Sequence, residues 1–238
     1  MNAQVKRVAV ALCLVLGATT GAHGAVWYVT PTGTGDGASW EDAGPLQDVV
    51  DAAEEGDEVW VAAGAYTGSG TNVLTMQEGV DVYGGFAGDE TDRDQRDWET
   101  HETIIDGEEA RRCVNGADNA VLDGFTVTRG RADDGGGMLF GTATNCTFID
   151  NTAVWEGGGM SGGTATDCTF TGNTANWDGG GMYEGTATDC TFTDNTAGWA
   201  GGGMFLGTAI NCTFTSNTAE FFWRRDGFGH SHKLHLHW

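Results

Sequence analysis

Basic residues are scarce in this chain. Its 238 residues include 11 lysines and arginines against 34 aspartates and glutamates, which gives a formal net charge of −23. No lysine or arginine occurs between Ala132 and Trp223. Nucleic-acid binding and adhesion to anionic lipid both require a basic surface. The composition therefore excludes a nucleic-acid partner and direct lipid attachment for this region.

Several other signatures are missing. Two prolines accompany 40 glycines without a Gly-X-Y period, so the chain is not collagen-like. The sequence contains no G-x-S-x-G, H-E-x-x-H or phosphate-loop motif, which leaves no recognisable catalytic set. No apolar stretch is long enough for a transmembrane helix, so no self-anchoring segment is predicted. Hydrophobic residues make up 39% of the chain, enough for a core.

The first 24 residues have the pattern of an export signal. Lys6-Arg7 precedes the apolar run Val8 to Leu16, and Ala22-His23-Gly24 places small residues at the −3 and −1 positions of a cleavage site. We predict a signal peptide over residues 1–24, cleaved before Ala25, although an uncleaved anchor or a buried strand would share the apolar run. The predicted location is secreted, or associated with the outer membrane or cell surface of a bacterium.

An internal repeat of 22 residues fills the C-terminal half, and each repeat begins with three glycines. Five columns of residues recur at this spacing: Met138, Met160, Met182, Met204; Cys146, Cys168, Cys190, Cys212; Phe148, Phe170, Phe192, Phe214; Asn151, Asn173, Asn195, Asn217; and Trp155, Trp177, Trp199, Phe221. The glycine triplets disfavour helix, while alternating Thr, Cys and Phe favour short strands. One 22-residue unit fits one coil of a parallel β-solenoid.

Stacked coils would align equivalent residues in columns about 4.8 Å apart. We expect Met, Cys and Phe to point inward and Thr to point outward. We expect the asparagine column (Asn151, Asn173, Asn195 and Asn217) to lie at a turn, where asparagine tolerates left-handed backbone and its amides can bond from coil to coil.

The N-terminal half reads as irregular coils of the same solenoid. Pro45 to Glu55 has helical spacing of apolar residues, and Gly56 is placed to end that helix over the first coil. The polar stretch Asp89 to His101 is expected to leave the coil as an excursion. We divide the chain into a signal peptide (1–24), an N-terminal cap with irregular coils (25–131), four repeats (132–220) and an aperiodic tail (221–238). The tail fits either an end cap or a shifted reading frame.

The GGGM segments and the F-x-x-N tetrads, such as Phe148–Asn151, resemble the repeats of polymorphic outer-membrane proteins. The front section, including WYVTPTGTGDGASWEDA, is similar to secreted bacterial right-handed parallel β-helix proteins of the pectin-lyase-like superfamily. The resemblance implies an all-β, right-handed parallel β-helix of about seven or eight coils with a short N-terminal capping helix. That superfamily includes adhesins, autotransporter passengers and pectate-lyase-like enzymes, so the fold leaves the function open.

Two columns of the repeat are candidate binding sites. Stacked carboxylates would repel one another unless bound Ca²⁺ relieved the repulsion, although a solvated acidic face is the commoner outcome; these are Asp134, Glu156 and Asp178. Aromatic rings beside carboxylates can stack on sugars, although an aromatic ladder that packs at the turn is the commoner outcome; these are Trp155, Trp177 and Trp199.

The cysteine column has two interpretations. Successive coils bring Cα atoms within disulfide range, so Cys146–Cys168 and Cys190–Cys212 could be bridged in an oxidising compartment. Reduced thiols would instead fill the core as small apolar groups.

The sequence favours a non-catalytic exported or surface protein, adhesin-like, that binds surface glycans or proteins and needs no cofactor beyond a possible Ca²⁺. The alternative is a carbohydrate-active enzyme of the polysaccharide-lyase type. It would use Arg129 or Arg131 beside Asp123 and Asp133.

Overall fold

The strands of this protein follow from its threonine-rich triplets. In Thr-Ala-Thr and Thr-Phe-Thr the central residue faces one side and both threonines the other. Ala165 and Phe170 are accordingly buried, while the flanking threonines are partly exposed. The computed structural model describes residues 24–223 and 232–237, with side chains from residue 24 to 220. The predicted signal peptide up to residue 23 lies outside these residues.

Four sheets run along the solenoid, and each coil contributes one strand to each sheet in the repeat region. The first sheet contains β1 (Val26–Val29), β2 (Glu58–Ala62), β5 (Asp81–Phe86), β8 (Val121–Asp123), β12 (Thr142–Thr144), β16 (Thr164–Thr166), β20 (Thr186–Thr188) and β24 (Thr208–Ile210). The second contains β3 (Gly64–Tyr66), β6 (Thr103–Asp106), β9 (Thr126–Thr128), β13 (Thr147–Ile149), β17 (Thr169–Thr171), β21 (Thr191–Thr193) and β25 (Thr213–Thr215).

The other two sheets close the coil. The third contains β10 (Arg131–Ala132), β14 (Thr152–Ala153), β18 (Thr174–Ala175), β22 (Thr196–Ala197), β26 (Thr218–Trp223) and β27 (His232–His237). The fourth contains β4 (Asn72–Thr75), β7 (Arg112–Asn115), β11 (Met138–Leu139), β15 (Met160–Ser161), β19 (Met182–Tyr183) and β23 (Met204–Phe205). Strand β27 pairs antiparallel with β26, so part of the aperiodic tail lies on the edge of the third sheet.

The register confirms the predicted parallel β-helix. Met138 pairs with Met160, and Phe148 with Phe170, so residues 22 apart lie over one another. The phenylalanine rings of successive coils stack with centroids 4.7–4.8 Å apart and planes within 5°. The inner Met, Cys and Phe residues of the first three repeats are buried in one continuous core, as expected.

One helix, α1 (Leu46–Ala52), covers the N-terminal end of this core. Its apolar face is buried through Leu46, Val49 and Val50. The Gln47 side chain accepts from the backbone N–H of Thr75 at 2.7 Å and donates to the Thr75 carbonyl at 3.0 Å. It thereby satisfies the edge of β4 as another strand would.

The helix is shorter than the predicted span Pro45 to Glu55. Ala53 is already extended, with ψ of 150°, so the helix ends at Ala52, four residues before Gly56. Gly56 has a φ of 94° and lies in the turn that leads to β2. Helical spacing of apolar residues therefore continued past the point where the chain had to turn into the first sheet.

Between β5 and β6 the chain leaves the coil, as predicted. This excursion, residues 87–102, contains a short 3-10 helix, Arg93–Gln95, closed by reciprocal capping between Asp92 and Gln95. Within the described part of the chain, no helix has the length and apolarity needed to cross a membrane.

Candidate functional site

Three tryptophans form a stripe on the turn between the third and fourth sheets. Their backbones are bonded from coil to coil, with Trp177 N–H donating to the Trp155 carbonyl at 3.0 Å and Trp199 N–H to the Trp177 carbonyl at 2.7 Å. The rings of Trp155 and Trp177 meet edge to face at 5.0 Å, and those of Trp177 and Trp199 are nearly parallel at 6.0 Å. We call these three residues the tryptophan stripe.

The tryptophan stripe is open to solvent. The exposed fractions are 43%, 46% and 53% for Trp155, Trp177 and Trp199. Large aromatic residues are more often buried, and their apolar area dominates binding interfaces when they are exposed together. The Trp177 ring touches both of its neighbours, and the three rings together still present a ridge-like apolar surface.

The three stacked carboxylates Asp134, Glu156 and Asp178, which we call the acidic column, occupy the position that follows the tryptophan in the repeat, and Ala200 ends the column after Trp199. Asp134 accepts from the Glu156 backbone N–H at 3.3 Å, and Asp178 accepts from the Ala200 N–H at 2.9 Å. Partial burial, together with the charges of Asp134 and Asp178, raises the pKa of Glu156. The column is therefore a row of mutually repelling carboxylates, two of which anchor the next coil through its backbone.

The described side chains give no direct support to a calcium site in this column. Among residues 24–220, no three His, Cys, Asp or Glu side chains lie close enough together to hold a metal ion. Because coils stack one above another, each carboxylate of the column meets its neighbours only along a line. The Ca²⁺ site in the acidic column stays a prediction.

The asparagine column lies inside the molecule. The Asn173 Oδ1 accepts from both the backbone N–H and the Nδ2 of Asn151, at 3.1 and 3.0 Å. Its own Nδ2 donates to the Phe148 carbonyl and to the Asn195 Oδ1, both at 2.9 Å. Asn195 repeats the pattern, whereas Asn217 accepts from Asn195 and donates to the Phe192 carbonyl; all four residues are fully buried. The column is a continuous amide ladder that joins the coils.

One detail of the asparagine prediction was wrong. The left-handed backbone belongs to the preceding position, where the φ angles are 54° at Asp150, 66° at Gly172 and 54° at Asp194. Asparagine itself is not used for its tolerance of positive φ. It is used because one amide supplies both a donor and an acceptor in a buried site.

The cysteine column is present as free thiols. Cys146, Cys168 and Cys190 are buried, and each thiol donates to a backbone carbonyl at 3.1–3.5 Å. Cys212, on the last coil, is partly exposed. In this structure the column therefore fills the core as reduced side chains.

A cleft beside the excursion escaped the sequence analysis. Arg96 pairs with Asp123 at 2.9 Å, and both side chains are nearly buried, at 10% and 12% exposure. The Arg96 guanidinium lies 5.0 Å from the Tyr83 ring and 4.8 Å from the Trp98 ring. Cavities of about 510 and 640 Å³ flank Trp98, which is 38% exposed. Only the fold brings Arg96 to Asp123, 27 residues along the chain.

The residues of the predicted lyase site are paired differently. Asp123 forms an ion pair with Arg96, and Arg129 donates two hydrogen bonds to Asp106. Arg131 is exposed in β10, while Asp133 interacts electrostatically with Arg112. The grouping of Arg129 or Arg131 with both Asp123 and Asp133 is therefore not formed.

Comparison with known proteins supports the fold. The crystal structure of pectate lyase Pel9A is similar to this chain, with a TM-score of 0.52 and 17% sequence identity. The match covers 78% of this chain and 50% of that chain, so this protein spans about half the length of its structural neighbour. No protein-family model and no curated protein matches the sequence. At this identity the likeness shows the fold alone, a parallel β-helix.

Proposed function

We propose that this protein is a non-catalytic, exported or surface-associated β-helix that binds glycans through the tryptophan stripe. The observation that carries the proposal is the exposure of three tryptophans, about half of each ring system, on successive coils. The resemblance of the GGGM and F-x-x-N motifs to polymorphic outer-membrane protein repeats supports an adhesin-like role.

The geometry of the stripe suits a sugar chain better than a compact ligand. The rings succeed one another along the solenoid axis, and hydrogen bonds between coils hold their backbones, so little backbone ordering is required when a ligand binds. Sugar rings have apolar faces that can lie on tryptophan, and their hydroxyl groups can donate to carboxylates. The acidic column supplies such acceptors next to Trp155 and Trp177, through Glu156 and Asp178, whereas Ala200 follows Trp199.

Charge narrows the ligand class. The net charge of −23 and the carboxylates beside the stripe repel uronates and other anionic polysaccharides. The proposed ligand is therefore a neutral glycan, and weak dependence of binding on salt should accompany it.

Titration of neutral polysaccharides against tryptophan fluorescence, supported by affinity electrophoresis, tests the proposal. Trp177→Ala should weaken binding about tenfold or more, since truncation of a central aromatic contact costs about 1.4 kcal/mol or more. Phe140→Ala is the matched control, because Phe140 is 59% exposed on another column. Equal effects of the two variants, or no binding of any glycan, would refute the proposal; binding of a protein instead would indicate a protein adhesin.

A polysaccharide lyase is the second candidate, favoured by the likeness to a pectate lyase. Arg131, which is exposed in β10, is the arginine of the predicted set without a carboxylate pair among the described ion pairs. Incubation with polygalacturonate and Ca²⁺, followed by detection of unsaturated uronides, distinguishes the two functions. Release of unsaturated uronides that is abolished in Arg131→Ala would establish lyase activity. We expect no release of unsaturated uronides from the unchanged protein.

A further inference from the structure

The first described residues meet a carboxylate. The backbone nitrogen of Ala25 lies 2.7 Å from Asp57 Oδ1, and the Ala25 carbonyl accepts from the Glu58 N–H at 2.9 Å. The other carboxylate oxygen of Asp57 accepts from the Trp27 indole at 2.8 Å and from the Glu54 N–H at 3.0 Å. Asp57 thus joins the start of β1 to the segment that follows α1.

The position before Ala25 is sterically restricted. A Cβ atom on Gly24 would lie 1.9 Å from the Gly56 carbonyl oxygen, so only glycine fits there. The sequence independently places a cleavage site between Gly24 and Ala25, because small residues stand at −1 and −3. The predicted cleavage site is therefore the Gly24–Ala25 peptide bond, whose nitrogen lies 2.7 Å from Asp57 Oδ1.

We propose that cleavage after Gly24 creates an α-ammonium group on Ala25 that forms an ion pair with Asp57, so that processing stabilises the N-terminal cap. Water hydrolyses the Gly24–Ala25 amide: the hydroxyl goes to the Gly24 carboxyl group, and Ala25 leaves as an amine that takes a proton at neutral pH. This inference rests on export, one part of the proposed function, and is independent of glycan binding.

The electrostatics of Asp57 suit this role. Partial burial raises the pKa of Asp57, but the hydrogen bonds from Glu54, Trp27 and Ala25 outweigh this effect and lower the pKa overall. The carboxylate is therefore charged at neutral pH. An α-ammonium facing it has a pKa raised above its ordinary value of about 7.7–8.0. The ion pair therefore contributes its full stabilisation at a pH below the ordinary pKa of the α-amine. This stabilisation is lost as the pH rises through the raised pKa of the folded protein.

The test begins with the full chain, exported from a bacterial host and purified from the exported fraction. Mass spectrometry of the N-terminus should show Ala25 as the first residue. The α-amine is then acetylated in a Lys233→Arg background, since Lys233 is the only lysine after residue 24. Acetylation preserves an N–H donor to Asp57 and removes the charge, so the comparison isolates the ion pair.

The free amine should raise the melting temperature by about 2–4 °C over the acetylated chain near neutral pH, and the difference should vanish at alkaline pH. In Asp57→Asn acetylation should have no effect, whereas in Glu55→Gln, an exposed carboxylate of the same turn, the effect should persist. A different first residue, no shift on acetylation, or a shift that survives in Asp57→Asn would each overturn the proposal. Glycan titration of the same samples reports separately on the proposed function.

Discussion

Substitution of one asparagine in the amide ladder should lower the free energy of unfolding by a large amount, although only one side chain is changed. In Asn173→Ala the side-chain oxygen that accepts two hydrogen bonds from Asn151 disappears. The Asn151 backbone N–H then has no acceptor at that position, and its side-chain amide keeps only the bond to the Val127 carbonyl at 2.8 Å. Both groups are fully buried, so water cannot easily replace the lost partner.

The magnitude follows from these two donors. A buried donor left unpaired costs about 1–3 kcal/mol, so the substitution should lower the free energy of unfolding by roughly 2–6 kcal/mol. That is a large part of the 5–15 kcal/mol that is typical of a folded domain. Asn173→Asp should be at least as damaging, because it places a carboxylate against the Asn195 oxygen in a site without solvent.

Urea denaturation followed by circular dichroism measures the loss as a shift in the transition midpoint at constant slope. Thr191→Ala is the control, since Thr191 lies on the exposed face of the next coil and its truncation should cost no more than about 0.5 kcal/mol. If Asn173→Ala costs no more than this control, the amide ladder does not hold the coils together.

Three further outcomes follow from the packing. Phe170→Ala should lower the free energy of unfolding by about 3–5 kcal/mol, because its ring is stacked on both sides, whereas Phe140→Ala should change it little; thermal melts compare the two. Arg96→Gln should release the excursion and speed its cleavage by a protease, as seen by gel electrophoresis, since Arg96 ties that segment to the coils. Burial raises the pKa of Cys113 to about 12, so iodoacetamide near neutral pH should leave that thiol unmodified until denaturant is added. Five thiols from residues 113 to 212 in the denatured chain would confirm a reduced column, and fewer would indicate bridges.

The repeat region could be predicted in detail because its sequence is periodic. Identical side chains 22 residues apart can all be buried only if the coils stack in register, and Met138 does lie over Met160. Burial of the asparagines could not be predicted in the same way. An asparagine at a turn and an asparagine inside a hydrogen-bonded ladder recur at the same spacing in the sequence. The repeat also does not predict whether Trp177 is exposed, because an aromatic column can pack inward or outward.

The irregular N-terminal half limited prediction for a different reason. The excursion is too polar to form a core strand, so its place outside the coils was foreseeable. Its attachment was not, because Arg96 finds Asp123 through the stacking of coils rather than through any local signal. The end of α1 likewise depends on where the chain must turn to enter β2, and not on helical propensity.

The contact between Gln47 and Thr75 bears on how such a molecule avoids becoming a fibre. Coils that stack on nearly identical coils have no inherent stopping point, and an open edge would recruit strands from other molecules. One glutamine amide, which offers the same donor and acceptor as a peptide group, terminates that recruitment at β4. Replacement of Gln47 by a residue without an amide should therefore be tolerated by the fold and yet turn this end into a seed for filament growth.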